Sequence, residues 1–314
     1  MNTASRSKTP PRVVVLGGIN TDYVVRSKAL PRAGQTVLGE DLFTGPGGKG
    51  ANQAVAAARL GAKVALIGRV GDEARGHELV HGLCCENVDT RFVSFGSRRP
   101  SGAAIIAVDA SGEKQISAAP GANLTLTENQ VQKAEELIAK ADVFLAQFET
   151  PVRCVMMAAR IARKHGVKVL LDPAPPTQFP KELFRFLYAI RPNSDEAEQM
   201  TGIAVKDKAS ALRAAQVLRK KGVAVVALQA GEDGDLIVSE DEEIFLPRLK
   251  VKTVDATGAG DAFAAALAVG IAEGLSLRDV ARMANVTAAL STTKVGAQAG
   301  MPRRYEVDRI LRKR

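Results

Sequence analysis

The amino-acid sequence predicts an α/β fold with a large, mostly parallel β-sheet, helices on both of its faces and a small β-sheet lid. Three observations carry this prediction. From about residue 127, short apolar strands alternate with amphipathic helices, which is typical of right-handed crossovers in a parallel sheet. Strands without intervening helices occur within about 20–46 and 98–119 and favour a separate small antiparallel sheet, a natural lid over a site. Aromatic residues make up only 4% of the chain, which suits an aliphatic core.

Short apolar runs predict the strands of the large sheet, because a parallel sheet is buried on both faces. They lie at 13–16, 64–67, 143–146, 167–171, 189–191 and 223–228. Helices are predicted at 52–60, 73–84, 127–141, 151–166, 208–221 and 262–272. Thr127 and Gln130 have the spacing of a capping box, and Asp72 is a candidate N-cap. Gly222 suits the end of a helix because glycine readily adopts the left-handed conformation.

Composition excludes several classes of protein. The chain has 314 residues and a net charge of +9, but no basic stretch is interleaved with aromatic residues, so nucleic-acid binding is not expected. Cys84, Cys85 and Cys154 are an odd number without a CxxC pair, which argues against a secreted disulfide framework. No apolar stretch could span a membrane, and no secretory signal opens the chain. We expect a cytoplasmic protein with a disordered tail over 1–11, although the basic start leaves an organelle-targeting segment open.

The segment DATGAGD at 255–261 is the sharpest chemical signal, and it directly precedes the alanine-rich helix. Small residues before a helix leave backbone N–H groups uncovered, and these can stabilise an anion. Asp261 at this point could remove a proton from an attacking hydroxyl. In isolation such a segment is more often a helix cap preceded by loop glycines. The other motifs of the chain favour the catalytic interpretation.

A second signal is GPGGKGAN at 45–52. Gly45, Gly47 and Gly50 satisfy GxGxxG, and Asp72 lies at a suitable distance for a dinucleotide-binding fold. The motif follows a predicted lid strand rather than the first core strand, which weakens that interpretation. An NAD-dependent oxidoreductase is nevertheless an open alternative. It would leave 255–261 without a role.

Polar residues also follow three predicted strands. Asn20 and Asp22 come after the first strand, Glu149 follows the strand at 143–146, and Asn193 and Glu196 follow a later one. Each is alone more often a cap or a solvated loop residue. Their shared position matters, because ligands of open α/β sheets bind at the carboxyl ends of strands.

At these motifs the chain resembles the ribokinase branch of the carbohydrate kinase family, which also contains adenosine kinases and minor phosphofructokinases. The likeness runs from about Arg12 to the C-terminus and rests on 47–52, on Asn193-x-x-Glu196 and on 255–261. The resemblance implies a ribokinase-like fold, with one kinase domain over 12–314, and ATP-dependent phosphorylation of D-ribose at its 5-hydroxyl. It further implies Mg²⁺ with ATP, K⁺ as an activating cation, and a homodimer joined through the lid.

The resemblance also implies roles by position. For the sugar it implies Asn20, Asp22, Gly48, Lys49, Asn52 and Glu149. For the reaction it implies Asp261 as the general base and Gly258, Ala259 and Gly260 as an anion hole. For the nucleotide it implies Asn193, Gln229, Gly231, Glu232, Gly234, Gly260 and Asn285. For metals it implies Glu196 (Mg²⁺ through water) and, for K⁺, Asp255, Thr257, Ser291, Lys294, Gly296 and Gly300.

Three positions depart from the family pattern. The chain has Gln-Ala-Gly at 229–231 where Thr-Leu-Gly is usual, and an acidic stretch over 232–235 lies beside the nucleotide site, where it should repel phosphate. Gly300 stands where the family often has Ser, so a weaker or altered cation response is expected. Asp172 replaces a more usual Asn, and its sequence context indicates no consequence.

Two functional alternatives remain at this point besides the oxidoreductase. A related kinase could act on 2-deoxyribose, another sugar or a nucleoside. Asn20 and Asp22 favour ribose because together they can meet its 2- and 3-hydroxyls. A non-catalytic sugar-binding module would keep Asp22 and Asn52 but would have no use for Asp261.

Overall fold

The computed structural model describes residues 9–231 and 233–313, so most of the predicted tail, Glu232 and Arg314 lie outside the described residues. The strands are β1 (Arg12–Leu16), β2 (Asn20–Ser27), β3 (Gly39–Gly47), β4 (Lys63–Gly71), β5 (Val88–Gly96), β6 (Gly102–Val108), β7 (Lys114–Ala119), β8 (Val143–Ala146), β9 (Lys168–Leu171), β10 (Leu187–Ile190), β11 (Val225–Gln229), β12 (Gly234–Val238) and β13 (Glu243–Pro247). The helices are α1 (Lys49–Arg59), α2 (Ala74–Cys85), α3 (Glu128–Gln132), α4 (Glu135–Ala139), α5 (Val152–Lys164), α6 (Ser194–Thr201), α7 (Lys208–Lys220), α8 (Ala259–Ala272), α9 (Leu277–Ser291), α10 (Ala297–Gly300) and α11 (Arg304–Leu311).

The large sheet has nine strands in the order β13-β12-β11-β10-β9-β8-β1-β4-β5. From β11 to β5 all neighbouring strands are parallel, and β12 and β13 add an antiparallel hairpin at one edge. The predicted parallel-rich sheet is therefore confirmed. Because its strands run in one direction, the loops that follow β1, β8, β9, β10 and β11 gather at one edge, where the polar motifs lie.

Successive residues of the central strands enter two separate cores. Val13 and Val15 of β1 pack with side chains of α1, α8 and α9, whereas Val14 and Leu16 pack with side chains of α3, α4 and α5. This alternation follows from the two-residue period of a strand. Both faces are covered with aliphatic side chains, which confirms the predicted helices on both faces.

The small sheet has the strand order β3-β2-β6-β7 and covers the carboxyl ends of the large-sheet strands with its inner face. Its outer pairs are antiparallel, but β2 and β6 run parallel, so the expectation of a fully antiparallel sheet was wrong. The physical reason is the connection between them: the chain passes through β3, α1, β4, α2 and β5 before it returns, and so long a crossover permits a parallel pair.

Two helix predictions differ from the structure in detail. The predicted helix over 127–141 is divided into α3 and α4, although the capping box of Thr127 and Gln130 is confirmed. Helix α2 begins after Glu73, and the carboxylate of Asp72 pairs with the His77 ring at 3.0 Å instead of capping the helix. Because Glu73 is the N-cap residue, Asp72 stands one residue too early to cap the helix.

The close contact between α1 and the end of β1 positions the site. The Ala51 N–H donates to the Gly18 carbonyl at 3.0 Å, and a Cβ at residue 50 would lie 2.5–2.8 Å from backbone atoms of Gly17 and Gly18. Only glycine at position 50 allows this approach. It brings the first turn of α1, with Lys49 and Asn52, against the loop that follows β1.

We predict that Gly50→Ala lowers the free energy of unfolding by about 2–3 kcal/mol, because the added methyl group meets backbone rather than movable side chain. Gly82→Ala is a matched control inside α2, where a Cβ would have nothing within 4 Å. That substitution should raise the free energy of unfolding by about 0.5–1 kcal/mol. Urea unfolding of both variants measures the difference, and equal effects would contradict the proposed contact.

Candidate active site

The first turn of α8 presents a buried carboxylate beside backbone N–H groups of the helix start, of which that of Ala259 donates to the Ala256 carbonyl at 3.3 Å. Gly258 is the N-cap residue, with φ of +82°, and Ala259 and Gly260 begin the helix. Asp261 follows in the same turn and is only 4% exposed. The first N–H groups of a helix have no partner within it, and the helix dipole makes that end attractive to anions. The predicted base and anion hole therefore lie side by side.

Side chains of α1 hold Asp261 from two directions. The Asn52 amide donates to Oδ2 at 2.9 Å, and the Gln53 amide donates to Oδ1 at 3.0 Å. The Lys49 ammonium lies 3.8 Å from Oδ1. These contacts fix the directions of both carboxylate oxygens and place a cation beside them.

A cavity of about 520 Å³ lies between the small sheet and the end of the large sheet. Its polar lining is formed by Asn20, Asp22, Gly48, Lys49, Asn52, Glu149 and Asp261. Ala104, Ile106, Ile116 and Ala118 of the small sheet supply an apolar wall. The structure thus brings all six residues predicted for the sugar together with the predicted base, in a space suited to a small polyol.

Lys49 connects the acidic groups of this cavity. Its N–H donates to Glu149 Oε2 at 2.7 Å, and its ammonium lies 3.9 Å from Asp172 Oδ2. Burial alone would lower the pKa of Lys49, but the carboxylates of Asp261 and Asp172 reverse the effect and raise it. Lys49 is therefore a fixed positive charge among several negative ones.

Two other carboxylates of the cavity hold protons unusually well. Burial raises the pKa of Glu149 to about 7, against the opposing charge of Lys49. Burial and then repulsion from Asp261 and Asp255 raise the pKa of Asp22 to about 6. Hydroxyl groups that donate hydrogen bonds to these carboxylates would favour their charged forms.

Asn20 is held in place by a residue that the sequence did not single out. The Asn123 amide donates to Asn20 Oδ1 at 2.7 Å, and the Ile19 N–H donates to Asn123 Oδ1 at 2.9 Å. Asn20 is buried, so this contact orients its remaining amide donors toward the cavity.

The residues predicted for the nucleotide phosphates lie at the end of β10 and the start of α6. Asn193 Oδ1 accepts from the Glu196 N–H at 2.8 Å, and the Asn193 N–H donates to Glu196 Oε2 at 2.9 Å, which forms a capping box. Ser194 Oγ donates to the Gln229 carbonyl at 3.2 Å and ties this turn to β11. Glu196 is thus a buried, oriented carboxylate at the same edge of the sheet.

The other predicted nucleotide residues surround the hairpin of β11, β12 and β13. Gly231 has a φ of +60° and its carbonyl accepts from Arg248 Nη2 at 3.0 Å, while Gly234 has a φ of +153°. The Asn285 amide donates to Asp235 Oδ2 at 3.2 Å. Asp235 is therefore engaged by a neighbouring side chain instead of being directed freely at the site.

The six residues predicted for a monovalent cation lie in the loop before α8 and in the segment from the end of α9 to the end of α10: Asp255, Thr257, Ser291, Lys294, Gly296 and Gly300. Asp255 Oδ2 accepts from the Gly296 N–H at 2.9 Å. Burial would raise the pKa of Asp255, but hydrogen bonds from Gly296 and Thr257 lower it. The backbone carbonyls of Ser291 and Lys294 converge beside Gly300, close to where a Cβ would stand. Converging oxygens beside an ionised carboxylate are the ligand type that hard cations prefer.

Besides Asn123, five residues of the site were missed or left without a role by the sequence. The Gln53 side-chain amide donates to both Asp261 and Asp172, and the Gln147 amide donates to Gln53 Oε1. Arg191 lies against Gly260, where a Cβ would be 2.7 Å from Nη1. Lys114 of the small sheet reaches Thr257 at 3.5 Å. Asp172 and Arg191 could have been found from their position at the carboxyl ends of β9 and β10, whereas Gln53 is a helical neighbour of Asn52 with no signal of its own.

Residues 9–231 and 233–313 contain neither a membrane-spanning helix nor a cluster of side chains suited to a metal ion. Within these ranges no helix is both long and apolar enough to cross a bilayer. In the same part of the chain, no three His, Cys, Asp or Glu side chains are grouped so that they could hold a metal ion. Metal binding through one carboxylate and water, or through backbone carbonyls, is compatible with this finding.

Comparison with known proteins agrees with this geometry. The family model described as pfkB family carbohydrate kinase matches residues 10–304. The chain belongs to this family of carbohydrate kinases and is a phosphotransferase, as the motifs had predicted. The dinucleotide-binding alternative was wrong: Gly45 and Gly47 lie in β3 of the small sheet, and Gly50 packs on Gly17.

Individual relatives are similar over nearly their whole length. A ribokinase of Haemophilus influenzae is 40% identical over 95% of this chain and 98% of its own. A ribokinase of Mus musculus is 38% identical over 95% of this chain and 94% of its own. The solved structure of Arabidopsis thaliana ribokinase complexed with ribose and ATP superposes with a TM-score of 0.89, at 31% identity, over 96% of this chain and 99% of that one.

Asp22→Asn should raise the free energy of unfolding of the ligand-free protein at pH 8 by roughly 1–3 kcal/mol. The folded-state pKa of Asp22, about 6, exceeds its ordinary value of 3.8, so the folded protein binds an extra proton between these values. Its stability therefore falls as the pH rises through this window. The gain from Asn is complete above about pH 6 and disappears near pH 4.

Urea unfolding at pH 4, 6 and 8 measures this effect. Asp241→Asn, in the exposed turn between β12 and β13, serves as the matched control and should change stability by less than about 0.5 kcal/mol at any pH. A gain at Asp22→Asn that is independent of pH would show that charge is not its cause.

Proposed function

We propose that the protein transfers the γ-phosphoryl group of ATP to the 5-hydroxyl of D-ribose, giving D-ribose 5-phosphate and ADP. The observation that carries this proposal is the position of Asp261: a buried carboxylate opens a helix at the wall of a polar cavity, where a hydroxyl can approach it. The full-length similarity to ribokinases, one of them solved with ribose and ATP, supports the same activity.

Ribose would be held by the polar lining of the cavity. Asn20 and Asp22 would meet the 2- and 3-hydroxyls, because an amide and a carboxylate can serve adjacent hydroxyls. The further contacts would come from Gly48, Lys49, Asn52 and Glu149. These groups fix the sugar so that its 5-hydroxyl faces Asp261, and such alignment is a main contribution of a kinase to phosphoryl transfer.

Asp261 would accept the proton of the 5-hydroxyl as the oxygen attacks phosphorus. The N–H groups of Gly258, Ala259 and Gly260 would stabilise the charge on the transferring group. The small sheet would close over the sugar and exclude water, so that the phosphoryl group is transferred to ribose and not to water.

The nucleotide would lie along the carboxyl edge beyond α8, with contacts from Asn193, Gln229, Gly231, Glu232, Gly234, Gly260 and Asn285. The negative charge of Asp235, in the acidic stretch that was expected to repel phosphate, is partly offset by its neighbours. Burial raises the pKa of Asp235, while Arg191, the Asn285 amide and Arg248 offset its charge. Two arginines at this edge thus supply positive potential where the sequence alone indicated only carboxylates.

Mg²⁺ and K⁺ are the cations we propose for the site, and the residues present fit both. One carboxylate oxygen of Glu196 is occupied by the Asn193 N–H, and the other can accept from a metal-bound water. Mg²⁺ bound with ATP would neutralise charge on the phosphates. The carbonyls beside Gly300 and the Asp255 carboxylate suit K⁺. The usual Ser would place its Cβ 2.3 Å from the Ser291 carbonyl oxygen as it stands here, so we expect a weaker or altered K⁺ response with Gly300.

The outer face of the small sheet supports a homodimer. Ile105 and Leu42 are 61% and 66% exposed, and Tyr23 stands directly opposite Ile105 on the same face. A second copy of the chain would bury this apolar surface.

We also propose that residues from 12 onward act as one kinase domain, with the lid strands inserted in it. ATP as substrate and three free cysteines, two of them exposed, suit the cytoplasm.

ADP release with Mg-ATP, compared for D-ribose, 2-deoxyribose, adenosine and fructose 6-phosphate, tests the activity directly. We expect ribose to give the largest kcat/KM, and we expect that rate to rise when K⁺ replaces Na⁺. Asp261→Asn should lower kcat by at least about a hundredfold while ribose still binds, because general base catalysis typically contributes that much. Preference for another acceptor would refute the ribose assignment, and full activity of the variant would refute the base.

Ile105→Asp should convert a dimer to a monomer of 33.1 kDa, because it places a charge in the centre of the proposed contact. Light scattering after size-exclusion chromatography measures the mass. Tyr305→Asp, at an exposed residue of α11, is the control and should leave the dimer intact. A wild-type chain that is monomeric at micromolar concentration would contradict the proposed interface.

A further inference from the structure

Asp172 is a fully buried carboxylate that the proposed reaction does not use. It follows β9, and its Oδ2 accepts from the Gln53 amide at 2.8 Å. Its Oδ1 lies 3.9 Å from Arg191 Nη1 and has no hydrogen-bond partner among the described residues. A buried carboxylate so incompletely bonded is costly, which calls for a physical reason for its presence.

Asp172 and Asp261 share two partners. The same Gln53 nitrogen that donates to Asp172 also donates to Asp261 Oδ1 at 3.0 Å, and Gln147 fixes the Gln53 side chain by donating to its carbonyl oxygen. The Lys49 ammonium lies 3.9 Å from Asp172 and 3.8 Å from Asp261. One amide nitrogen and one ammonium group thus stand between the two acids.

The charges that face Asp172 come from four elements. Lys49 lies on α1 and Arg191 follows β10, and both are cations; Asp261 on α8 and Glu196 on α6 are anions. Burial raises the pKa of Asp172 to about 6, and the two cations oppose this shift. Asp172 is therefore largely ionised at pH 7 and above, and it presents a negative charge near Asp261.

We propose that Asp172 is a positioning residue for Asp261: it holds Lys49 and Gln53 between the two carboxylates and thereby keeps Asp261 able to accept the proton of the sugar hydroxyl. The inference rests on the proposed function, in which Asp261 is the base. Two effects act in the same direction. A negative charge nearby favours the protonated form of a carboxylic acid, and an ammonium group shared with Asp172 pairs less completely with Asp261.

Asp172→Asn tests this inference, because Asn has the same shape and can still accept from Gln53. We expect the ratio of the wild-type to the variant kcat to fall toward one as the pH drops through about 6, because Asp172 of the wild type then binds a proton and becomes neutral like Asn. At pH 7, kcat should fall by roughly three- to tenfold, because the base is weaker. The ribose dissociation constant should stay within about twofold, since Asp172 does not line the cavity.

Gln53→Leu keeps the test informative if Asp172→Asn folds poorly. It removes the amide that joins the two carboxylates and leaves only Lys49 between them, so its kcat should respond less than that of the wild type when the pH passes through about 6. A purely structural role for Asp172 and Gln53 would lower the activity of both variants by factors that do not change with pH. That result, in correctly folded variants, would overturn the proposal.

Two controls separate this inference from the proposed function. Wild type must phosphorylate ribose and Asp261→Asn must be nearly inactive in the same assay; if either fails, the proposed function is at fault. Asp241→Asn, an exposed carboxylate in the β12–β13 turn, should reproduce the wild-type profile. If these controls behave as expected and the ratio of wild-type to Asp172→Asn kcat is the same at pH 5 and at pH 8, Asp172 has no influence on the base.

Discussion

Asp261 receives hydrogen bonds from two consecutive side chains of α1, and this convergence depends on how closely α1 approaches β1. A Cβ at Gly50 would meet the backbone of Gly17 and Gly18, so any larger residue would displace the helix. The displacement would separate Asn52 and Gln53 from Asp261 and would move Lys49 away from Glu149. The cavity, the base and the charge balance of the site therefore all depend on one backbone contact.

The electrostatics of the site are costly without its ligands. Glu149, Asp172 and Asp261 act on one ammonium group, that of Lys49, and Asp22 lines the same cavity. Burial raises the pKa of Asp22, Glu149 and Asp172. Such an arrangement lowers the stability of the ligand-free protein and is typical of functional sites, where local rules are violated for the sake of chemistry. A sugar brings hydroxyl donors to these carboxylates, so binding relieves the strain that folding creates.

Much of the fold could be predicted from the sequence, because its signals are local. Apolar runs and small-residue helices revealed the parallel sheet, and helix punctuation such as the capping box of Thr127 and Gln130 was confirmed. The parallel pairing of β2 with β6 could not be predicted in this way, because it depends on where a long crossover returns the chain. The hairpin of β12 and β13 was missed for a similar reason: as an edge element it is set by its neighbours.

The residues of the candidate site divide in the same way, into those that local motifs reveal and those that only long-range contacts reveal. Residues that belong to compact motifs, such as Asn52 and Asp261, were found, and the structure places them within hydrogen-bond distance. Gln53 and Asp172 acquire significance only by contact across 119 positions of sequence. Arg191 likewise compensates an acidic stretch that looked unfavourable in the sequence alone. Local pattern identifies the groups that touch the substrate, whereas the groups that tune them depend on tertiary packing.

The position of the phosphate on the product tests the central claim most directly. Phosphorus NMR of the product from D-ribose and Mg-ATP distinguishes an ester at O5, whose phosphorus couples to two methylene protons, from one at O1, which couples to a single anomeric proton. The geometry around Asp261 predicts the O5 ester alone. Phosphate on O1, or the absence of any sugar phosphate while ATP is consumed, would contradict the orientation of ribose in the cavity and the role of Asp261 as its base.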